Sequence, residues 1–398
     1  MTEPVTGAAA RAAAAAGWKP PVDYRWTKDV VPYALKSADI AAITHTVLDR
    51  LKAQHVDLPD GHNLIRRCVE ALLVGNLVLK GPPGTGKTTL AYALADAFGV
   101  ELYESTATSE WTPFHVIGGF RPNPQGGLEA SYGKVTDSVL RCAALVRDER
   151  DSNDPPPTHQ AAWLLIDEFN RADIDKAIGS LFTVLSSVDP KHLEETPIDI
   201  WFEAGPNGRR LWVPARYRII ATMNDLDTAF VNQISEGLAR RFQFVTVRPP
   251  TSKATESEPV TAELRAASAG SHDWVRTTYG DAYEDLPELE AAEEALKPSL
   301  EKLQQVVDGL RYPPNVPGWP VGTAQIVDVL RVVVLAYASN PQADPWIFVD
   351  DAIAARLIPL MSSIDDEQEA VFLKLLQSQN LPLATSELKH LLNPHDMQ

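Results

Sequence analysis
The run Gly81-Pro82-Pro83-Gly84-Thr85-Gly86-Lys87-Thr88 has the residue types and order of a loop that holds a chain of phosphates. Its glycines let the main chain curl until several N–H groups face one anion. A helix starting there adds positive potential. Lys87 can reach the β- and γ-phosphates as a point charge, and Thr88 can offer its hydroxyl to Mg²⁺. Thr89 carries the same cradle into the helix. Further along, Trp163-Leu164-Leu165-Ile166-Asp167-Glu168 ends an apolar run in two acids. Asp167 is the candidate to hold the metal. Glu168, expected on the opposite side of the strand's pleat, is the candidate to polarise a water for in-line attack on a γ-phosphate. The bland alternatives are an ordinary Gly/Pro turn and a pair of solvated acids capping the next helix.

These groups need a scaffold. Residues 76–80 are apolar and predict a buried strand. Residues 89–98 predict a helix that Gly99 stops. Strand, glycine-rich turn and helix N-terminus in that order are the context a phosphate loop requires. A second strand is expected at 101–106, and a helix at about 136–147. Between them, Trp111, Phe114, Val116, Ile117 and Phe120 lie in a loop-rich stretch, and Gly118-Gly119 and Gly126-Gly127 punctuate a short hairpin over 118–133. Its aromatics suit either substrate contact or a satellite core. Residues 148–160, with three consecutive prolines, read as a linker. Over 197–213, Ile198–Glu203 and Arg209–Val213 read as a second hairpin with an Asn-Gly turn. Upstream, Ile40, Ile43, Val47 and Leu51 recur at helical spacing, and 62–73 predicts a helix feeding the first strand.

Composition sets the outer bounds. The 398 residues suffice for two or three domains, and 44% hydrophobic with 22% charged content is that of a globular protein. No apolar run has the length of a bilayer span, so no membrane role is expected. The alanine-rich stretch 8–16 is interrupted by Arg11 and makes a poor signal peptide. Cys68 and Cys142 are the only cysteines, and the nine histidines show no metal-binding spacing. Two lone thiols fit a reducing, cytoplasmic setting without a disulfide scaffold or a cysteine-based zinc site. A net charge of −17 disfavours a broad grip on nucleic acid.

The phosphate-loop run, followed by Leu165-Ile166-Asp167-Glu168-Phe169-Asn170-Arg171-Ala172, resembles an AAA+ ATPase. Asn170-Arg171-Ala172 directly after the acids is similar to the MoxR and McrB-like branch, grouped with the dynein-related AAA modules. Ile219 to Asn224 resembles that family's fourth strand, and Gly237 to Phe242 its arginine-finger segment. The resemblance implies an α/β fold: a parallel five-stranded sheet sandwiched by helices, with a C-terminal α-helical lid. It implies ATP and Mg²⁺, bound by Gly81 to Thr89 and Asp167, with Thr88 and Asp167 on the metal. It implies that Asn224 orients the attacking water or senses the γ-phosphate, and that Arg240 or Arg241 reaches a neighbouring subunit's site. A finger acting in trans implies a ring, expected to be a homo-hexamer.

The implied domains are a flexible tail at 1–22, a helical extension at 23–60, the nucleotide-binding core at 61–250 and the lid at 251–398. In the lid, 258–310 is rich in Ala, Leu and Glu, and 321–338 reads as a strongly apolar helix. Near its start, where many family members carry an arginine, stands Gly322-Thr323-Ala324-Gln325; the nearest arginine is Arg331. On the MoxR-like reading the partner is a protein, such as a von Willebrand A-domain protein or a metalloenzyme awaiting maturation. On the McrB-like reading the chain is the motor of a DNA-restriction assembly. That branch uses GTP and carries Met-Asn-Thr-Ala-Asp, where this chain has Met223-Asn224-Asp225-Leu226-Asp227. A third reading is a scaffold gated by nucleotide binding alone.

Overall fold
The computed structural model describes residues 24–54, 56, 58, 60–124, 126–151, 157–203, 209–224, 234–249, 253–279 and 289–392. The expected tail at 1–22, the Asn-Gly turn at 205–208, the stretch 225–227 and the acidic residues 284–288 lie outside them. The described residues pack as two compact units. One takes its residues from Met1–Leu48, His62–Gly81 and Lys87–Thr246, the other from Asp49–Gly61, Pro82–Gly86 and Val247–Gln398.

In the first unit the strands are β1 (Asn76–Gly81), β2 (Glu101–Thr106), β3 (Gly118–Pro122), β4 (Leu128–Tyr132), β5 (Ala162–Asp167), β6 (Ile198–Asp199), β7 (Arg210–Leu211), β8 (Ile219–Asn224) and β9 (Phe242–Thr246). Five of them form one parallel sheet in the order β2-β5-β8-β1-β9. Leu77, Val78, Leu79, Leu165, Ile166, Ile219 and Ile220 are buried, as expected of strands covered on both faces. The register matters more than the order. Gly81 stands beside Asn224, and Ile166 beside Ala221. The carboxyl ends of the three central strands therefore bring Gly81, Asp167 and Asn224 to one edge, where open α/β sheets bind ligands.

The helices α1 (Ile40–Ala53), α2 (Gly61–Val74), α3 (Lys87–Ala97) and α4 (Lys134–Asp151) accompany this sheet in sequence. The helix expected at 136–147 is thus longer at both ends. The first hairpin forms as expected, with Gly118 opposite Tyr132 and Pro122 opposite Leu128. Its glycine is needed: a Cβ on Gly118 would stand 2.3 Å from the Ser131 carbonyl oxygen and 2.7 Å from the Phe202 ring. The apolar residues in and before this hairpin divide. Trp111, Val116 and Ile117 are buried, whereas Phe120 is exposed and meets the exposed Trp201 edge to face.

The second hairpin is shorter than expected. Among the described residues, Ile198 pairs with Leu211 and Asp199 with Arg210, and the Ile200 N–H donates to Arg209 O. Next to this ladder, Trp212 donates its backbone N–H to Thr27 Oγ1 at 3.0 Å and its indole N–H to Glu194 O at 2.9 Å.

The second unit is helical: α5 (Ala262–Tyr279), α6 (Leu289–Arg311), α7 (Thr323–Ser339), α8 (Pro345–Arg356), α9 (Asp366–Ser378) and α10 (Pro382–Leu392). Leu264, Val306, Val329, Val333, Ile353, Phe372 and Leu388 are in its apolar core. One buried ion pair crosses it. Arg311 donates to both oxygens of Glu263, at 2.7 and 2.9 Å, and to the Val321 carbonyl. Thr323, at the start of α7, donates to the same carboxylate at 2.6 Å. Bidentate geometry and further hydrogen bonds are what a desolvated pair needs to be tolerated.

Candidate active site
β1 ends at Gly81, and the chain reaches α3 through Pro82–Gly86. Gly84 and Gly86 have φ of +77° and +79°, the left-handed region that glycine enters without steric cost. Thr85 Oγ1 closes the loop on the Pro82 carbonyl at 2.9 Å. Within the second unit, Gly84 lies against the start of α7. The Ala324 N–H donates to Gly84 O at 2.9 Å, and a Cβ on Gly322 would stand 2.6 Å from that carbonyl. Gln325, in the stretch Gly322–Gln325 where the resemblance leads to the expectation of an arginine, would meet a Gly84 Cβ at 3.1 Å. Arg331 instead stacks over Trp274, 4.7 Å from the ring centroid.

In the first unit, Lys87 is buried, and its ammonium donates to Gly81 O and Asn224 Oδ1, each at 2.9 Å. Asn224 uses its other end as well, Nδ2 donating to Glu168 Oε1 at 2.8 Å. Arg171 Nε donates to Glu168 Oε2 at 3.1 Å. One hydrogen-bonded row therefore runs from Lys87 through Asn224 and Glu168 to Arg171. Beside it, Thr88 Oγ1 donates to Asp167 Oδ1 at 3.4 Å. Thr89 follows on α3, half-buried.

The placement of Glu168 corrects the expectation from the strand's pleat. β5 stops at Asp167, and Glu168 has φ 55° and ψ 42°, a left-handed conformation outside the strand. A side chain there costs about 1 kcal/mol or more. The turn, not alternation along a strand, brings its carboxylate to Asn224.

The two arginines differ. Arg240 is exposed, with Glu236 3.7 Å away and itself exposed. Arg241 turns inward, donating to Gly237 O and Phe182 O and lying over the Phe182 ring. Their segment is tied down by Ser235, which caps its short helix and whose N–H and hydroxyl both donate to Asp175.

A hydroxyl and a carboxylate 3.4 Å apart are hard oxygen donors of the kind Mg²⁺ selects, so Thr88 and Asp167 fit that ion. Among the described residues no cluster of three His, Cys, Asp or Glu forms a metal cage.

Two side chains were missed in the sequence. Thr222, on β8, donates to Asp167 Oδ1 and accepts the Glu168 N–H at 3.3 Å. Its position two residues before Asn224, on the same face of the strand, is the signal that could have found it. Asn170 donates to the Asn224 carbonyl at 2.9 Å, fixing the strand end that carries Asn224.

Residues 76–242 match the family model of the AAA domain, dynein-related subfamily. The replication factor C large subunit of Thermococcus kodakarensis is 50% identical over 109 residues, covering 25% of this chain and 20% of that protein. The replication factor C large subunit of Pyrococcus abyssi is 38% identical over 124 residues, covering 29% of this chain and 24% of that protein. The chain thus spans between a fifth and a quarter of the length of these curated relatives. The fold is α/β, an AAA domain with a five-stranded parallel sheet and a C-terminal helical region. No helix among the described residues is long and apolar enough to cross a membrane.

Proposed function
We propose that this chain is a Mg²⁺-dependent ATPase of the AAA+ class that works as a homo-hexameric ring and remodels or activates a partner protein, in the manner of the MoxR branch. The observation that carries the ATPase reading is the row Lys87–Asn224–Glu168, with Thr88 and Asp167 beside it. Lys87 is preorganised to exchange Asn224 for β- and γ-phosphate oxygens of the substrate. Freed on that side, Asn224 still holds Glu168 through Nδ2 and can orient a water. Glu168 accepts the proton of that water as it attacks the γ-phosphate. Thr88 and Asp167 would hold Mg²⁺, which offsets negative charge on the phosphates. Arg240 is the better candidate for the finger, because it is exposed while Arg241 is occupied. The similarity to replication factor C large subunits covers too little of either chain to bring a role in replication here.

Glu168→Gln tests this reading. The variant should bind ATP with near wild-type affinity, in preference to GTP, and lose turnover by about 10²–10⁴-fold, the usual contribution of a general base. With ATP and Mg²⁺ it should gain mass in light scattering as the ring is trapped. Wild-type hydrolysis by Glu168→Gln would sink the assignment of the base, and GTP selectivity would favour the McrB-like reading.

A further inference from the structure
We propose that Thr222 is a positioning residue whose single hydroxyl sets the metal-holding Asp167 and the base Glu168 together. The inference rests on the ATPase reading above. Thr222 is 2% exposed, in the middle of the parallel sheet. A hydroxyl has one proton to donate and two lone pairs to accept with. Here the proton goes to Asp167 Oδ1 and a lone pair takes the Glu168 N–H at 3.3 Å. The two roles reinforce each other: an ionised carboxylate can only accept, so it fixes the direction of the hydroxyl proton, and the lone pairs are left for the amide.

The consequences fall on both acids. Asp167 Oδ1 accepts from Thr222 and, more distantly, from Thr88. Its other oxygen has no hydrogen bond among the described residues, so the carboxylate is oriented by one oxygen and open at the other. For Glu168 the hydroxyl holds an amide whose backbone is in the left-handed region. That conformation carries the Glu168 carboxylate to Asn224. Without the hydroxyl, Asp167 can rotate, and the Glu168 turn loses a bond that keeps it in a disfavoured well. Valine has nearly the volume of threonine and no hydroxyl, whereas serine keeps the hydroxyl and loses the methyl.

Three proteins decide it: wild type, Thr222→Val and Thr222→Ser, each first checked for a cooperative melt. A fluorescent ATP analogue is titrated in EDTA and then at graded Mg²⁺, and steady-state turnover is measured separately. Thr222→Val should bind the analogue in EDTA like wild type. Its Mg²⁺ half-saturation should rise and its kcat fall, each roughly 10- to 100-fold, the usual effect of losing an outer partner of a metal ligand. KM for ATP at saturating Mg²⁺ should change by less than about threefold. Thr222→Ser should restore both quantities to within about threefold of wild type. An unchanged Mg²⁺ midpoint and kcat in Thr222→Val would overturn the proposal. So would a Thr222→Ser that falls as far as the valine variant, since packing of the methyl would then be the cause. Should the valine variant not fold, Thr222→Cys, a far weaker donor of similar size, takes its place under the same criteria. If wild type binds nucleotide but never turns over, the ATPase reading fails, while the Mg²⁺ midpoint of binding still decides on Thr222.

Discussion

At the scale of single residues, the two neighbouring arginines illustrate how similar chemistry is put to different use. Arg241 donates to two backbone carbonyls and covers an aromatic ring, so its guanidinium is occupied within its own chain. Arg240 stands out in solvent beside an exposed Glu236, a pairing that costs little to break. An arginine that must reach another subunit has to be of the second kind. Arg240→Ala should therefore lower kcat by about 10³-fold or more, as removal of a finger does, with an unchanged melting temperature. Arg241→Ala should lower stability by about 1–3 kcal/mol, because two carbonyls lose their donor. Kinetics and a thermal melt on the two variants check this. Loss of turnover in Arg241→Ala without any thermal shift would reverse the assignment.

At the scale of elements, the placement of β8 controls the site, since Asn224 and Thr222 both stand on it. Two buried arginines fix where it begins. Arg218 donates to the carbonyls of Leu72, Ala215 and Tyr217, and Leu73 O lies 3.4 Å away. Burial pulls its pKa down to about 10, so it stays charged at neutral pH. Arg216 donates to Ala34 O, Gln160 O and Glu149, and its own carbonyl accepts the indole N–H of Trp163 on β5. These bonds join the strand's start to the end of α2, to α4 and to the neighbouring strand. Arg218→Met should keep the apolar stem and leave several buried carbonyls without a donor. We expect a loss of about 2–4 kcal/mol in denaturant unfolding. A loss under about 0.5 kcal/mol, the level of an ordinary surface change, would show that the fork does not hold the strand.

At the scale of the whole molecule, a finger acting in trans and a base acting in cis make a prediction that a monomeric enzyme cannot meet. Glu168→Gln keeps its finger and lacks the base, while Arg240→Ala keeps the base and lacks the finger. Each alone should be nearly inactive. Mixed in equal amounts they should recover roughly a quarter of wild-type turnover, because half the sites keep the base and half of those meet an intact finger. Recovery is measured against the mixing ratio at fixed total protein. A flat, inactive curve from subunits shown to exchange would remove the ring from the proposal. The net charge of −17 bears on the partner, favouring a protein over the phosphate backbone of a nucleic acid.

Much of this was legible in the order of residues. The phosphate loop, the acids ending an apolar run and the strand carrying Asn224 are contiguous motifs, so their chemistry and local structure travel together along the chain. The α/β architecture follows from buried strands alternating with helices, and the helical C-terminal part from its composition. Other features lie between stretches far apart in sequence. Register alone sets Gly81 beside Asn224. Thr222 acquires a role only because β8 is the neighbour of β5. The left-handed turn at Glu168 replaces the alternation that a strand pattern suggests. Trp212, beside the second hairpin, bonds to Thr27 and Glu194, partners that no local pattern pairs with it. Arg240 and Arg241 are the same letter in the sequence, and they part only when one finds carbonyls within reach and the other does not. Local chemistry is carried by covalent neighbours, whereas which groups share a proton or a metal is settled by distances that folding creates.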